Sequence, residues 1–266
     1  MKNHHQYALI TGATEGIGYE LAKLFAKDGY NLVIVARSQN ELDSVAYELK
    51  QNGIEVITSA KDLFIKEEVF ALCQELEQSN IEVNVLVNNA GQGVYGLFKD
   101  TDLNRELDIV HLNINAAIIL TKHFLHKMLL RNEGKILNLA SIASKTPGPW
   151  QSVYHGTKAF MLSFSEALRS ELEDTNITVT ALLPGPTATD FFNKADMNES
   201  KAVQDKDSLA DPADVAKDGY DALMSNKDKV VSGFSNKIKV GMSNVLSDSL
   251  NAEMMKEQQK PVTRDN

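Results

Sequence analysis

The sequence has one cysteine, Cys73, so no internal disulfide can form, and no Cys and His spacing resembles a zinc site. No metal is expected, and a reducing compartment, the cytoplasm, is the expected location. Basic residues are in the minority: 27 Lys and Arg stand against 36 Asp and Glu, a formal charge of −9. That balance argues against general nucleic-acid binding, which needs a basic face for the phosphate backbone, and against attachment to anionic lipid. No apolar run approaches the ~18 residues of a membrane span. The polar opening and the short apolar run at 7–10 fall short of a signal peptide, so neither a targeting segment nor a membrane partner is expected. His4 and His5 are expected in solvent rather than on a metal. Internal repeats and low-complexity tracts are absent too, as is a Gly-x-Ser-x-Gly elbow, which disfavours a Ser/His/Asp hydrolase. With 43% apolar and 24% charged residues among 266, there is ample material for a buried core.

What the sequence does contain is a hydrophobic period that keeps switching. Short Val/Ile/Leu-rich runs at 7–11, 31–35, 54–59, 83–88, 135–140, 177–183 and 229–232 suit strands buried on both faces. Between them lie segments with helical spacing. Leu21, Leu24 and Phe25 lead to a glycine stop at Asp28-Gly29, and Leu42, Val45, Ala46 and Leu49 lead to Asn52-Gly53. Val69, Leu72, Cys73 and Leu76 make Cys73 a core residue, and Asp211-Pro212 opens a helix reaching about Met224. The expected fold is α/β: a doubly wound, Rossmann-type parallel sheet of about seven strands with helices on both faces. Residues 1–232 read as one domain with a lid-like polar insertion at about 190–210. Residues 233–266 read as a tail, partly helical, with about ten frayed residues at its end. Its Ile238, Met242, Val245, Leu246 and Leu250 form one stripe, expected to cover a pocket or pack on a partner subunit.

The first strand runs directly into Gly12-Ala13-Thr14-Glu15-Gly16-Ile17-Gly18 and then a helix. Glycines there permit a tight turn and close approach of backbone to a pyrophosphate, which the helix N-terminus attracts. An NAD site wants a carboxylate at the end of the second strand to hold the ribose hydroxyl. Ala36, Arg37 and Ser38 stand there instead, and a guanidinium pairs with a 2′-phosphate, so NADPH is favoured over NADH. Glu15 works against that preference if it lies near the phosphate.

The spacing Gly-x-x-x-Gly-x-Gly, followed in order by Asp62-Leu63, Asn88-Asn89-Ala90-Gly91, Ser141, Tyr154-x-x-x-Lys158 and Pro184-Gly185-x-x-x-Thr189, resembles the short-chain dehydrogenase/reductase family over about residues 6–232. The resemblance implies that Gly12, Thr14, Glu15, Gly16, Ile17, Gly18, Arg37, Asp62, Leu63, Asn89, Ala90, Gly91, Tyr154, Lys158, Pro184, Gly185, Thr187 and Thr189 bind the dinucleotide. In particular, Asp62 lies beside the adenine, Thr189 at the nicotinamide carboxamide and Lys158 on the nicotinamide ribose. It further implies catalysis by Ser141, Tyr154 and Lys158, with Asn113 anchoring a water that relays protons; Asn115 rivals Asn113 on spacing. The helices at about 102–130 and from Ser152 are the family's dimer faces, so a homodimer or homotetramer is implied.

Residue context selects the same tyrosine. Three tyrosines have a lysine four positions on: Tyr19, Tyr95 and Tyr154. Only Tyr154 opens a helix after a strand that ends at Ser141, at the sheet edge where such folds bind ligands. Carbonyl reduction delivers hydride to carbon and a proton to the oxygen. A nearby ammonium favours phenolate and brings a phenol of pKa about 10 toward useful exchange, while a serine hydroxyl stabilises the growing charge. His155, His123 and His126 are expected to pack or face solvent. Tyr95, Trp150 and Phe191 are candidate substrate residues, with Phe98, Pro147, Pro149 and Phe192 beside them, which suggests a hydrophobic ketone or aldehyde, or the reverse alcohol oxidation. One alternative is a 3-oxoacyl thioester reductase docking its carrier on Lys127, Arg131 and Arg169. Another is a dinucleotide-binding regulator without catalysis.

Overall fold

The computed structural model describes residues 5–204, 209–243 and 246–262. Seven strands are formed by the apolar runs: β1 (Tyr7–Thr11), β2 (Asn31–Ala36), β3 (Val56–Ala60), β4 (Val83–Asn88), β5 (Gly134–Leu139), β6 (Ile177–Leu183) and β7 (Lys229–Val231). They pair in the order β3-β2-β1-β4-β5-β6-β7, every pair parallel. The order reverses between β1 and β4, and the crevice at the carboxyl ends of those strands is where such sheets take ligands.

The helices between the strands are α1 (Gly16–Lys27), α2 (Gln39–Leu49), α3 (Lys66–Gln78), α4 (Leu103–Val110), α5 (Ala117–Arg131), α6 (Ser152–Glu171), α7 (Phe191–Lys194) and α8 (Pro212–Met224). A wide, π-type turn, His111–Ala116, joins α4 to α5. Local chemistry sets these boundaries: Asp211 accepts from the Ala213 N–H with Pro212 in the first turn, and α1 stops at Asp28 before Gly29 at φ +83°. Apolar side chains of α1, α2 and α8 cover one face of the sheet, where Phe25 meets Tyr30 and Tyr220 edge-on. Those of α3, α5 and α6 cover the other. Cys73 lies in that second layer, and burial pushes its thiol up to about 12, so it is inert.

A buried polar chain ties the sheet to the second layer close to the ligand edge. Asn88 donates to Thr121 at 3.0 Å and Asn138 at 2.8 Å, and Asn138 donates to Ser165 at 2.9 Å. These bonds tie β4 and β5 to α5 and α6, while the buried Asn88 Oδ1 has no partner among the described residues.

Beyond β7 the chain forms α9 (Phe234–Ser243) and α10 (Asp248–Gln259). Fraying of the last ten residues does not hold as far as residue 262. The Gln259 carbonyl accepts from the Tyr95 and Ser200 hydroxyls, the latter at 3.1 Å, and the Val262 N–H reaches Glu199 O at 2.8 Å. Of the expected stripe, Met242 and Leu246 line the large cavity, but Met242, like Ile238 and Leu250, is also largely exposed. Val245 and His4 lie outside the described residues, and His5 is exposed.

Candidate active site

A cavity of about 630 Å³ runs along the carboxyl edge of the sheet from the tip of β2 to the start of α6. Every residue expected to bind the dinucleotide lines it. At its centre β1 turns through Gly12 (φ +64°) and Gly16 (φ +54°). A Cβ on Gly18 would stand 2.1 Å from Gly12 O, so helix and turn touch through bare backbone. Glu15 caps α1 by position, yet its side chain accepts no bond from the first turn, and those amides stay available to an anion. Asn89 braces the turn from β4, donating to Thr11 O at 2.8 Å and Gly12 O at 3.0 Å. Its side chain therefore holds the turn's shape.

At the far end, Arg37 lies over the Phe64 ring, 5.7 Å from its centroid, while Ser38 caps α2. Asp62 accepts from Phe64 N at 3.1 Å, which fixes the loop after β3. Glu15 does not face Arg37: it is ion-paired with Lys194, which also meets Asp190 at 3.3 Å. Lys194 therefore ties α7, in the insertion, down onto the glycine turn. Thr189 presses on the same turn, its methyl 2.8 Å from where a Gly16 Cβ would stand.

At the near end stand Ser141, Tyr154 and Lys158. Ser141 follows β5 and caps a short helical turn, accepting from Ala143 N at 3.1 Å; its hydroxyl reaches Pro184 O at 3.3 Å. Ser144 ties that turn to α6 by donating to Lys158 O at 2.8 Å. Tyr154 sits in the first turn of α6, and Lys158 one turn on, its Nζ 5.8 Å from the tyrosine ring centroid. Lys158 donates to Leu139 O at 2.8 Å. Burial pushes the Tyr154 phenol up to about 12, opposed by a hydrogen bond with Ser141, and pulls the Lys158 ammonium down to about 8. Asn113 does not line the cavity. It sits behind Lys158 in the π-type turn, clamped to Gln92 by two bonds of 2.9 Å and to Thr157 by a third. Asn115 instead meets His111 Nδ1 at 2.8 Å, so the two asparagines are cleanly separated.

The substrate half differs from expectation. Tyr95 and Trp150 do not line the cavity: they stack on each other at 5.6 Å and support the wall from behind. Phe191 and Phe192 do line it, with Phe191 5.2 Å from the Tyr154 ring. Phe98 is exposed. Sequence reasoning missed Thr146, Gln151, His155 and Lys194 in the wall, and Met254, Met255 and Gln259 from α10. Gln151 and His155 are one helical turn apart, a signal that was available. The reach of α10 has no local signal, because it depends on where a separate helix comes to rest. His123 lies on the far layer, edge-on to Phe124.

The suggested carrier-docking cations are all occupied. Lys127 pairs with Glu77 at 2.7 Å, Arg131 with Glu82 at 2.9 Å, and Arg169 donates to Val179 O and Asn226 O. Arg131 also donates to Val83 O, at the amino end of β4 and so at the sheet edge opposite the cavity.

Comparison with known proteins agrees with this geometry. The chain matches the short chain dehydrogenase family over residues 6–200. The very-long-chain 3-oxoacyl-CoA reductase of Laccaria bicolor is 37% identical over 66% of this chain and 53% of its own length, so the match spans about half of that relative. Dehydrogenase/reductase SDR family member 7B of Mus musculus is 31% identical over 84% of this chain and 72% of its own. Among solved structures, a short-chain dehydrogenase from Sphingobium yanoikuyae in complex with NADPH superposes with a TM-score of 0.82 at 25% identity, covering 98% of this chain and 99% of that one. Motif order, strand order and a family match over most of the sequence agree, and the chain belongs to the short-chain dehydrogenase family of oxidoreductases.

Proposed function

We propose that this oxidoreductase uses NADPH to reduce a hydrophobic ketone or aldehyde: carbonyl, NADPH and a proton give alcohol and NADP⁺. The observation that carries this reading is the placement of Ser141, Tyr154 and Lys158 at one end of a cavity whose other end holds Arg37 and whose middle is the uncapped start of α1. The bare backbone at Gly12 and Gly18, together with the free first-turn amides, fits a pyrophosphate. When bound, the reduced nicotinamide supplies the hydride. Tyr154 holds the proton that the carbonyl oxygen receives, Ser141 donates a hydrogen bond to that oxygen, and the Lys158 ammonium stabilises the phenolate left behind. Asn113, held rigidly behind Lys158, supports the path by which Tyr154 regains a proton. Phe191, Phe192, Met242, Leu246, Met254 and Met255 give the substrate half an apolar lining.

Arg37 supports the preference for the phosphorylated cofactor, since β2 ends without a carboxylate and Glu15 is held by Lys194. Replacing Arg37 with Asp is expected to shift the kcat/KM ratio of NADPH over NADH by about a hundredfold toward NADH. A ratio unmoved by the substitution would remove Arg37 from phosphate recognition. Reduction of a 3-oxoacyl thioester is the second reading, favoured by the similarity to the Laccaria bicolor reductase. Turnover of a 3-oxoacyl-CoA above that of simple ketones would establish it. Self-association is also proposed, because Leu103 and Leu107 of α4 and Ile118 of α5 expose apolar surface. Light scattering should give a mass of two or four chains, and a monomer would refute the assembly.

A further inference from the structure

The residue at the N-cap position of α1 is a carboxylate, Glu15, and its own side chain leaves the first-turn amides open. A side chain in that position ordinarily accepts from those amides, and the helix dipole draws negative groups toward them. Glu15 and a pyrophosphate are therefore rivals for one set of donors. In the structure Lys194 decides between them. Its Nζ is ion-paired with Glu15 Oε1, across 179 residues of sequence, and so holds the carboxylate.

Lys194 makes that pair from a fixed backbone. Its N–H reaches Asp190 O at 3.1 Å within α7, its carbonyl accepts from Arg105 of α4 at 3.0 Å, and Arg105 is ion-paired with Asp196. The ammonium also meets the Asp190 carboxylate at 3.3 Å, which in turn accepts from Asn193 at 2.7 Å. The side chains of Lys194 and Glu15 are 32% and 51% exposed, a range in which an isolated pair contributes little. This pair is not isolated, because the lysine is held at both ends and loses less freedom in making it. Glu15, Asp190 and Lys194 all line the cavity.

Resting on the dinucleotide reading above, we propose that Lys194 is a positioning residue for the cofactor. It keeps the Glu15 carboxylate off the start of α1, so the insertion sets how tightly the dinucleotide binds. Released from Lys194, Glu15 turns back onto the amides and must be displaced before a pyrophosphate can take them. The two residues are then coupled, and a double-mutant cycle on NADPH affinity is the test. The full chain is titrated with NADPH, following the heat of binding. Lys194→Met should raise Kd about tenfold in the wild-type background, the scale of one competing cap. In a Glu15→Gln background, with no carboxylate to restrain, it should raise Kd by less than about threefold. Lys194→Arg, which keeps the cation, should bind within about threefold of wild type. Equal losses in both backgrounds would mean that Lys194 meets the phosphates itself or merely steadies the insertion, and would overturn the proposal. So would a Lys194→Met chain within about threefold of wild type. Thermal midpoints of the cofactor-free chains should agree closely; a drop caused by Lys194→Met in both backgrounds would mark a structural role and overturn the proposal too. In each of those cases a wild type that binds NADPH leaves the dinucleotide reading standing, whereas a wild type that binds neither NADPH nor NADH would overturn both.

Discussion

Tyr154→Phe is expected to lower the rate of carbonyl reduction by about a hundred- to ten-thousand-fold, with NADPH still bound. The substitution deletes one oxygen from a ring already packed against Phe191, so the wall keeps its shape and the proton donor is lost. The wild-type pH profile should carry the same signature. With the Tyr154 phenol up at about 12 and the Lys158 ammonium down at about 8, the tyrosine stays protonated well above neutrality, whereas the lysine starts to lose its proton just above it. Lys158 is charged below about 8 and neutral above it, so reduction should fall as the pH rises through that value. A rate still rising there, or a Tyr154→Phe chain within about tenfold of wild type, would mean that another group supplies the proton.

Gly18→Ala should destabilise the fold by about 3 kcal/mol and abolish NADPH binding. The new methyl would stand 2.1 Å from Gly12 O and 2.3 Å from Asn89 Nδ2, two groups that shape the turn and cannot both retreat. Gly156→Ala is the internal control. That glycine lies in α6 with nothing within 4 Å of the added carbon, so the change should raise stability by about 0.5–1 kcal/mol through helix propensity alone. Thermal unfolding of the two variants separates the cases. Equal midpoints would show that the close approach of helix and turn does not matter.

Much of this arrangement was legible because it is local. The glycine turn, Ser141 at a strand end, and Tyr154 with Lys158 one turn later are each set by a few neighbouring residues. Strand runs buried on both faces likewise declare a parallel sheet: the runs at β1, β4 and β6 coincide with the strands, and the other four differ by a residue or two, as at β3. Long-range placement was less legible. Tyr95 and Trp150 are aromatic and lie on loops near the site, so composition alone puts them on substrate. Their stacking against each other, and the hold of Gln259 on Tyr95, depend on the docking of α10 across more than a hundred and fifty residues. Lys194 shows the same effect: nothing near it in sequence hints that it meets Glu15. Asn113, expected to anchor a water, is buried, and the wide turn that presents it has no sequence period of its own.

The most direct test of the account is a stoichiometry. The full chain is incubated with NADPH and a set of hydrophobic ketones, and loss of the reduced cofactor's near-ultraviolet absorbance is compared with alcohol formed. Catalysis through Tyr154 predicts one alcohol per NADPH consumed and a rate that collapses in Tyr154→Phe. Tight NADPH binding with no alcohol formed from any ketone would contradict it and mark the chain as a dinucleotide-binding regulator.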